Sequence, residues 1–188
     1  MPPNTDALVQ SKKAFFFAIL LFFCLISGLA TGTILKPQNV PDLTREADLI
    51  AVVRVEGHQS LRAGSRNFIY TDHTVHIEEV VHKRPNLNTP RVGEKAVLRQ
   101  IGGRIGDVQQ SVVGTEDIRQ GDRWVVFVRL HEGRIYLIGM HQGGWFIDGS
   151  NNIRPSRSLR DVNTPDTAHL SKDAFIKNVR SLAIEVRP

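Results

Sequence analysis

The feature that most constrains the fold is a long stretch of alternating side chains, NFIYTDHTVHIEEVVHKRP, at residues 67–85. One set of alternate positions holds Ile69, Thr71, His73, Val75 and Ile77, and the other holds Phe68, Tyr70, Asp72, Thr74, His76, Glu78 and Val80. A period of two is that of a β-strand, and the many β-branched residues favour this conformation. The stretch therefore predicts one long strand, bent near its middle and ended by Pro85.

Further strands are predicted on both sides of this one. The apolar run in DLIAVVRVEG (48–57) predicts a buried strand, followed by a polar loop at 58–66, and KAVLRQI (95–101) predicts a third strand. Residues 124–130 and 134–140 read as a hairpin with a turn at 131–133, and residues 145–148 read as a short strand. Near the C-terminus, Phe175, Ile176, Val179, Leu182, Ala183 and Val186 recur at helical spacing after Ser171, a suitable N-cap.

Several strands followed by one helix, with no strand–helix alternation, are typical of an antiparallel sheet that curls up. We therefore expect a mainly β protein, a small antiparallel OB-like β-barrel with one C-terminal amphipathic helix. In this interpretation, residues 31–46 are a linker, 47–150 form the barrel, and 151–188 are a second linker and the helix.

The first thirty residues predict export. Lys12 and Lys13 precede an apolar run from Ala14 to Ala30, and small residues lie before Thr31. This is the pattern of a secretory signal cleaved after Ala30, although the run is also near the lower length limit for a membrane anchor. Beyond the run there is no cysteine and no Asn-x-Ser/Thr acceptor. Together these features favour the bacterial periplasm or the extracellular space, with membrane anchoring as the alternative.

The pieces ADLIAVVRVEG, IYTDHTVHIEEVVHKRP, VLRQIGG, GDRWVVFV and IGMHQGGWF resemble exported bacterial proteins with an OB-like barrel. That barrel is similar to the one in tissue inhibitors of metalloproteinases and in netrin modules. The resemblance covers about Ala47 to Ile147. The inhibitors chelate the protease metal through an N-terminal cysteine, which the exported part of this chain lacks, so that mode of inhibition does not carry over.

The glycine-rich stretch RQIGGRIGDVQQSVVG (99–114) raises the question of a phosphate-binding loop. Such a loop needs a following helix whose N-terminus faces the anion, and often ends in Gly-Lys-Ser/Thr. Here the ending is missing and DVQQSVVG alternates like a strand. The stretch predicts a bend or bulge where the sheet turns a corner.

Histidines on the long predicted strand raise the question of a metal site. His73 and His76 face opposite sides, and only His76, Glu78 and His82 share a face, so zinc would need a further ligand such as His131 or His141. We interpret these residues as polar groups on a solvated sheet face and predict no cofactor. The Gly-x-Ser-x-Gly context of a nucleophilic serine is also missing, so we predict no enzymatic activity.

Arg154, Arg157 and Arg160 recur every three residues, and the chain carries a net charge of +5. They are the candidate partner-binding residues, for an anionic polymer, a lipid or an acidic protein surface. The leading hypothesis is an exported, non-catalytic binding module that engages an envelope protein or a polyanion. The alternatives are an inhibitor-like regulator of an extracytoplasmic protease and an enzyme whose residues converge only in the fold. No nucleic-acid partner is expected, because exported chains rarely meet nucleic acid.

Overall fold

A computed structural model describes residues 37–155 and 170–185. These residues form two α-helices, nine β-strands and a 3-10 turn at Met140–Gly143. In chain order the elements are α1 (Val40–Glu46), β1 (Leu49–Ala63), β2 (Phe68–Lys83), β3 (Lys95–Ile101), β4 (Gly103–Ile105), β5 (Val108–Gln110), β6 (Arg123–His131), β7 (Arg134–Leu137), β8 (Gly144–Ile147), β9 (Ile153–Pro155) and α2 (Lys172–Glu185).

Seven of the strands form one sheet in the order β1-β2-β3-β7-β6-β8-β9, and β1 also pairs with β6. The extra pairing closes β1, β2, β3, β7 and β6 into a ring of hydrogen-bonded strands. β8 and β9 extend the sheet beyond β6, while β4 and β5 form a separate hairpin. The prediction of a mainly β fold with a C-terminal helix is confirmed.

The expectation of a purely antiparallel sheet is wrong at one place, because β3 and β7 pair in parallel through Leu98 and Ile135. The other four pairings around the ring are antiparallel. Strand directions cannot alternate all the way round a ring with an odd number of members. A five-stranded ring built from hairpins therefore has to contain one parallel pair, and the sheet is mixed.

Local irregularities bend the two longest strands. The register of β1 and β2 shifts between Ile50 and Ala51, between Val52 and Val53, and between Val55 and Gly57. At each shift one strand contains an extra residue that has no register partner. These residues are Val81 and Glu78 in β2 and Glu56 in β1. Bulges of this kind bend a strand and increase its twist, so the bend predicted for the long strand is explained by the way it pairs.

Alternating side chains of the ring strands build two cores. One cluster lies inside the ring and draws on all five ring strands; it contains Leu49, Ala51, Val53, Val55, Val75, Ile77, Leu98, Trp124, Val126, Val128 and Ile135, with Ile118 from the loop that precedes β6. The other cluster lies between the outside of the sheet and the two helices, and includes Ile50, Val52, Val125, Phe127, Trp145, Ile147 and Ile153. Strands that are apolar on both faces explain why β1 reads as a continuous apolar run.

The C-terminal helix α2 packs on the outer face as its spacing predicts. Phe175, Ile176, Val179 and Ala183 are buried, and the backbone N–H of Ala174 donates to Ser171 Oγ at 3.3 Å. The ring of Phe175 lies 5.0 Å from that of Trp145 and 6.3 Å from that of Phe127, measured between centroids. Aromatic contacts therefore fix the helix against the sheet.

The segment predicted as the first linker contains a helix instead. Asn39 caps α1 by accepting a 2.8 Å hydrogen bond from the N–H of Asp42, and a proline occupies its first turn. Leu43 and Ala47 are buried in the outer core. Only seven residues long, α1 forms because these two side chains find an apolar site on the sheet.

Two further boundaries differ from the sequence analysis. β1 continues to Ala63 through the segment expected to be a loop, and β9 lies within the expected second linker. The predicted export segment at 1–30 lies outside the described residues. In the part of the chain that the structure describes, no helix is long and apolar enough to cross a membrane.

Removing the ring of Phe175 tests the packing of α2. Phe175→Ala should lower the free energy of unfolding by about 3–5 kcal/mol, because it leaves a cavity between the helix and the sheet. Ile184→Ala on the same helix, where the side chain is 71% exposed, is the matched control and should change it by less than about 0.5 kcal/mol. Urea unfolding measures both, and equal effects would contradict the packing described here.

Candidate functional site

An open cleft of about 460 Å³ lies at one end of the ring of strands. Its walls come from the outer halves of β1 and β2, the end of β3, the β4–β5 hairpin and the loop that leads to β6. Most of the lining side chains are polar: His58, Ser60, Thr71, His73, Gln100, Arg104, Gln109, Gln110, Ser111, Thr115, Glu116, Asp117, Arg119 and Gln120. Ile118 lines the cleft and also belongs to the inner core. The cleft is therefore the polar end of the space that the ring encloses.

The first wall is the glycine-rich stretch highlighted by the sequence. The chain leaves β3 at Gly102 and turns into the β4–β5 hairpin, with positive φ at Gly102, Gly103 and Gly106. The hairpin is attached to the ends of β1 and β2: Gly102 N–H donates to the Ile69 carbonyl at 2.8 Å, and Ile69 N–H donates to Gln110 Oε1 at 3.0 Å. The prediction of a glycine-dependent bend between strands is confirmed.

Gly103 allows the backbone of this hairpin to approach two hydroxyl groups. With φ at +137°, a Cβ added there would lie 2.8 Å from Ser60 Oγ and closer still to Thr71 Oγ1. These two hydroxyls are 3.1 Å apart, and Thr71 Oγ1 donates to the Gly102 carbonyl at 2.8 Å. The glycine serves close packing of the cleft wall, where a side chain has no room.

The second wall is the segment 111–122, which is fixed at several points. The Gly114 carbonyl accepts hydrogen bonds from the backbone N–H and from Nδ1 of His141, both at 3.0 Å. Because a carbonyl only accepts, Nδ1 of His141 carries a proton. Gln100 Nε2 donates to the Glu116 carbonyl at 2.8 Å, and Gly121 N–H donates to the Val55 carbonyl at 2.8 Å. The cleft therefore has preformed walls on both sides.

His73 lies at the bottom of the cleft and is 4% exposed. Within residues 37–155 and 170–185, its Nδ1 has no hydrogen-bond partner, and neither does Oε1 of Gln100. Burial, and then the charge of His58, lower the pKa of His73 from its usual 6.5 to about 4, and Asp72 only partly opposes the shift. The imidazole is neutral at neutral pH as a result. The expectation that His73 lies on a solvated face is wrong, because its alternate-position neighbours Val75 and Ile77 point into the ring.

His58 on β1 lies directly opposite His73 on β2 in the antiparallel register. The centroids of the two imidazole rings are 5.9 Å apart, with 47° between the ring planes. His58 is exposed at the rim, while the Glu116 side chain is buried and lines the same cleft. The arrangement brings two imidazoles and a carboxyl group to one polar space.

A second, smaller cavity of about 160 Å³ shares Gln100, Ile101 and Thr115 with the cleft. Tyr70, Tyr136, Leu137 and Met140 give it a largely apolar lining. Beside them Arg99 donates two hydrogen bonds to Asp72, at 2.6 and 2.7 Å, and its guanidinium lies 5.4 Å from the centre of the Tyr70 ring. An apolar pocket with a fixed polar edge thus adjoins the polar cleft.

The candidate partner-binding arginines are described only in part. Arg154 in β9 is exposed and pairs with Asp148 at 2.9 Å, while Arg157 and Arg160 lie outside the described residues. Hydrogen bonds from the Asn152 backbone and from Arg154 hold the pKa of Asp148 below its usual value, against a smaller opposing effect of burial. The charge of Arg154 is therefore already paired within the chain, and the role of the three arginines stays a prediction.

Of the residues considered for a zinc site, His73 lines the cleft, whereas His76, Glu78, His82, His131 and His141 do not. Burial alone would raise the pKa of Glu78, but hydrogen bonds from Arg123 and Arg54 outweigh it and lower the pKa. His141 is buried and bonded to Gly114. Within residues 37–155 and 170–185, no group of three or more His, Cys, Asp or Glu side chains is placed to hold a metal ion.

Sequence reasoning missed the pairing of His58 with His73 and the burial of Glu116. The alternation of β2 contained a signal for His73, since it shares a face with two apolar residues. His58 lay in the segment expected to be a loop, so its strand partner was not visible. Glu116 lies in the polar segment after Gly114 and Thr115, and nothing in its sequence neighbourhood indicates burial.

Comparison with protein-family models and with curated proteins finds no match for this chain. Its function therefore has to be inferred from its own residues.

A methyl group at Gly103 tests the close packing of the hairpin wall. Gly103→Ala should lower the free energy of unfolding by about 2–4 kcal/mol, because it combines backbone strain with a clash against Thr71 and Ser60. Gly106→Ala in the same hairpin also has positive φ but meets no atom within 4 Å, and should cost only about 1–2 kcal/mol. Denaturant unfolding of both variants would refute the packing argument if Gly106→Ala proved the more costly.

The shifted pKa of His73 predicts a pH dependence of stability. Between pH 6.5 and 4 the unfolded chain binds a proton at this residue that the folded chain excludes, so the free energy of unfolding decreases as the pH falls through this range. At roughly 1.4 kcal/mol per pH unit, the loss is on the order of 3 kcal/mol. His73→Gln should remove this component, whereas His76→Gln on the opposite face should keep it. Urea unfolding from pH 4 to 7 measures it, and identical slopes for both variants would contradict the assignment.

Proposed function

We propose that this chain is an exported, non-catalytic binding module that engages another protein of the bacterial envelope through the cleft. The observation that carries the proposal is the combination of a preformed polar cleft with buried polar atoms, on His73 and Gln100, that have no hydrogen-bond partner among the residues that the structure describes. Buried polar groups without partners cost free energy, and a bound ligand is one way to recover it.

The size of the cleft supports this proposal. Ligand sites are typically concave spaces of about 300–1,000 Å³, and the cleft falls within that range at about 460 Å³. The adjoining apolar cavity of about 160 Å³ would receive one larger side chain of the partner. Polar and apolar compartments side by side suit an extended protein segment, whose side chains differ along its length.

The charges in the cleft favour a protein over a polyanion. Arg104 and Arg119 are offset by Glu116 and Asp117 among the lining residues, and Arg119 pairs with Asp117. A surface built for a polyanion would carry an excess of positive charge. The balance here is better suited to hydrogen bonds with a neutral segment.

The fold that we propose for this module is a small barrel of the OB type. Five strands in a closed ring are consistent with that architecture, which often binds its ligands on its face and in the loops at one end. Export through the N-terminal apolar segment, with cleavage or with retention as an anchor, belongs to the same proposal. The arginine series at 154, 157 and 160 would provide a secondary contact.

Site-specific photo-crosslinking in intact cells tests the proposal. A photoreactive residue at Gln109 or Gln120, which lie on the two walls of the cleft, should give the same adduct of discrete mass. The same group at Lys177, exposed on α2, should not. Ser111→Trp should fill the cleft and reduce the yield of adduct by at least about tenfold, whereas Ile184→Trp, at an exposed position on α2, should leave it unchanged.

Other outcomes would contradict the proposal. If the adduct formed equally well from a photoreactive group at Lys177, or if its yield did not fall in Ser111→Trp, the cleft would not be the binding surface. Retention of the purified protein on heparin or anionic vesicles, lost in Arg154→Gln and without any protein adduct, would favour a polyanion. An adduct with a protease whose activity falls at equimolar dose would support the inhibitor alternative.

A further inference from the structure

We propose that His58 and His73 together form a binding site for a divalent transition-metal ion in the cleft. Their positions on adjacent antiparallel strands carry the proposal. They are direct partners in the register of β1 and β2, so their side chains leave the sheet on the same face and side by side. This site goes beyond the proposed engagement of a protein and does not depend on it.

The separation of the rings meets the distance requirement. A metal–nitrogen bond of about 2.0–2.1 Å allows two imidazoles on one ion to have centroids no more than about 6.5 Å apart. The observed separation is 5.9 Å, and His58 is exposed at the rim and able to adjust its rotamer. The separation of the two rings is therefore compatible with both imidazoles binding one ion once the His58 side chain rotates.

The burial of one imidazole provides the second observation. His73 is 4% exposed, its Nδ1 has no hydrogen-bond partner in the described part of the chain, and β2 fixes its position. One fixed and one adjustable ligand make a site that is partly preorganised. The two imidazoles are the only protein ligands of the proposed site, and solvent in the open cleft supplies the remaining ligands. The lining arginines are held elsewhere: Arg104 Nε donates to the Gly106 carbonyl at 3.0 Å, and Arg119 pairs with Asp117.

The ligand set determines which ions would bind. Imidazole nitrogen favours Cu²⁺, Ni²⁺ and Zn²⁺ over Mg²⁺ and Ca²⁺, which prefer oxygen ligands. A site with two protein nitrogens and solvent in the other positions should bind these ions in the general order of affinity, with Cu²⁺ bound most tightly. Such an ion would keep open positions toward the cleft.

Titration of the purified full chain with CuCl₂ tests the site, followed by electron paramagnetic resonance and by calorimetry. We expect one ion per chain with nitrogen hyperfine structure from two imidazoles. His58→Gln, at an exposed position that should leave the fold intact, should weaken binding by at least about tenfold. His73→Gln should do the same, and His76→Gln, which retains the pair, is the matched control and should bind as the parent does.

Thermal unfolding by circular dichroism shows whether each variant is folded. If folded His58→Gln binds Cu²⁺ with unchanged affinity and an unchanged spectrum, the proposal is wrong. It is also wrong if His76→Gln weakens binding as much as His58→Gln. MgCl₂ at the same concentration should not bind, and competition by Mg²⁺ would indicate an oxygen site in place of the imidazole pair.

Discussion

Closure of the ring by the pairing of β1 with β6 is the constraint on which the rest of the structure depends. β1 has hydrogen-bonded neighbours on both sides, β2 and β6, so it cannot be an edge strand. In the part of β1 that pairs with both neighbours, residues 49–53 are buried on both faces, one set inside the ring and the other beneath the helices. An odd number of ring strands also forces the parallel contact between β3 and β7.

The cleft is a consequence of this closure. After β3 the chain has to cross one end of the ring to reach β6, and residues 102–122 make the crossing. The crossing segment first forms the β4–β5 hairpin, which contacts the ends of β1 and β2, and then a loop that places Ile118 over the inner core. Because the hairpin and the loop stay apart, the polar upper part of the enclosed space is open to solvent.

Much of the fold follows from local patterns, whereas the site depends on pairings between distant residues. The alternation of β2 gave its two faces correctly as far as Ile77, because a strand fixes side-chain direction residue by residue. Beyond the bulge at Glu78 the prediction is wrong, since Val80 packs against the same inner core as Ile77. The prediction of α2 was also correct for a local reason. It depended on the N-cap Ser171 and on the helical spacing of Phe175, Ile176 and Val179. The helix α1 was missed because seven residues carry little periodicity, although Asn39 and the proline after Val40 are an N-terminal signal.

The site could be predicted less well because it is non-local. The partnership of His58 and His73 depends on the turn at 64–67 and on the bulges of β1 and β2, which no short window of sequence reveals. His73 was assigned to solvent on residue type, although its position in the alternation indicated the ring interior. Histidine can occupy such a position only with its pKa lowered, and the cost of that shift is invisible in a sequence pattern.

The polarity of the inward face of β2 changes where the strand borders the cleft. Val75 and Ile77 are fully buried apolar residues, His73 and Thr71 nearer the start of the strand line the cleft, and Ile69 beyond them is again apolar and buried. An apolar residue in place of His73 would extend the core and remove a stability loss at acidic pH. Natural proteins accept such costs mainly at functional positions. His73 and Thr71 both line the cleft, so the cost of burying this histidine falls at the surface that we propose engages a partner.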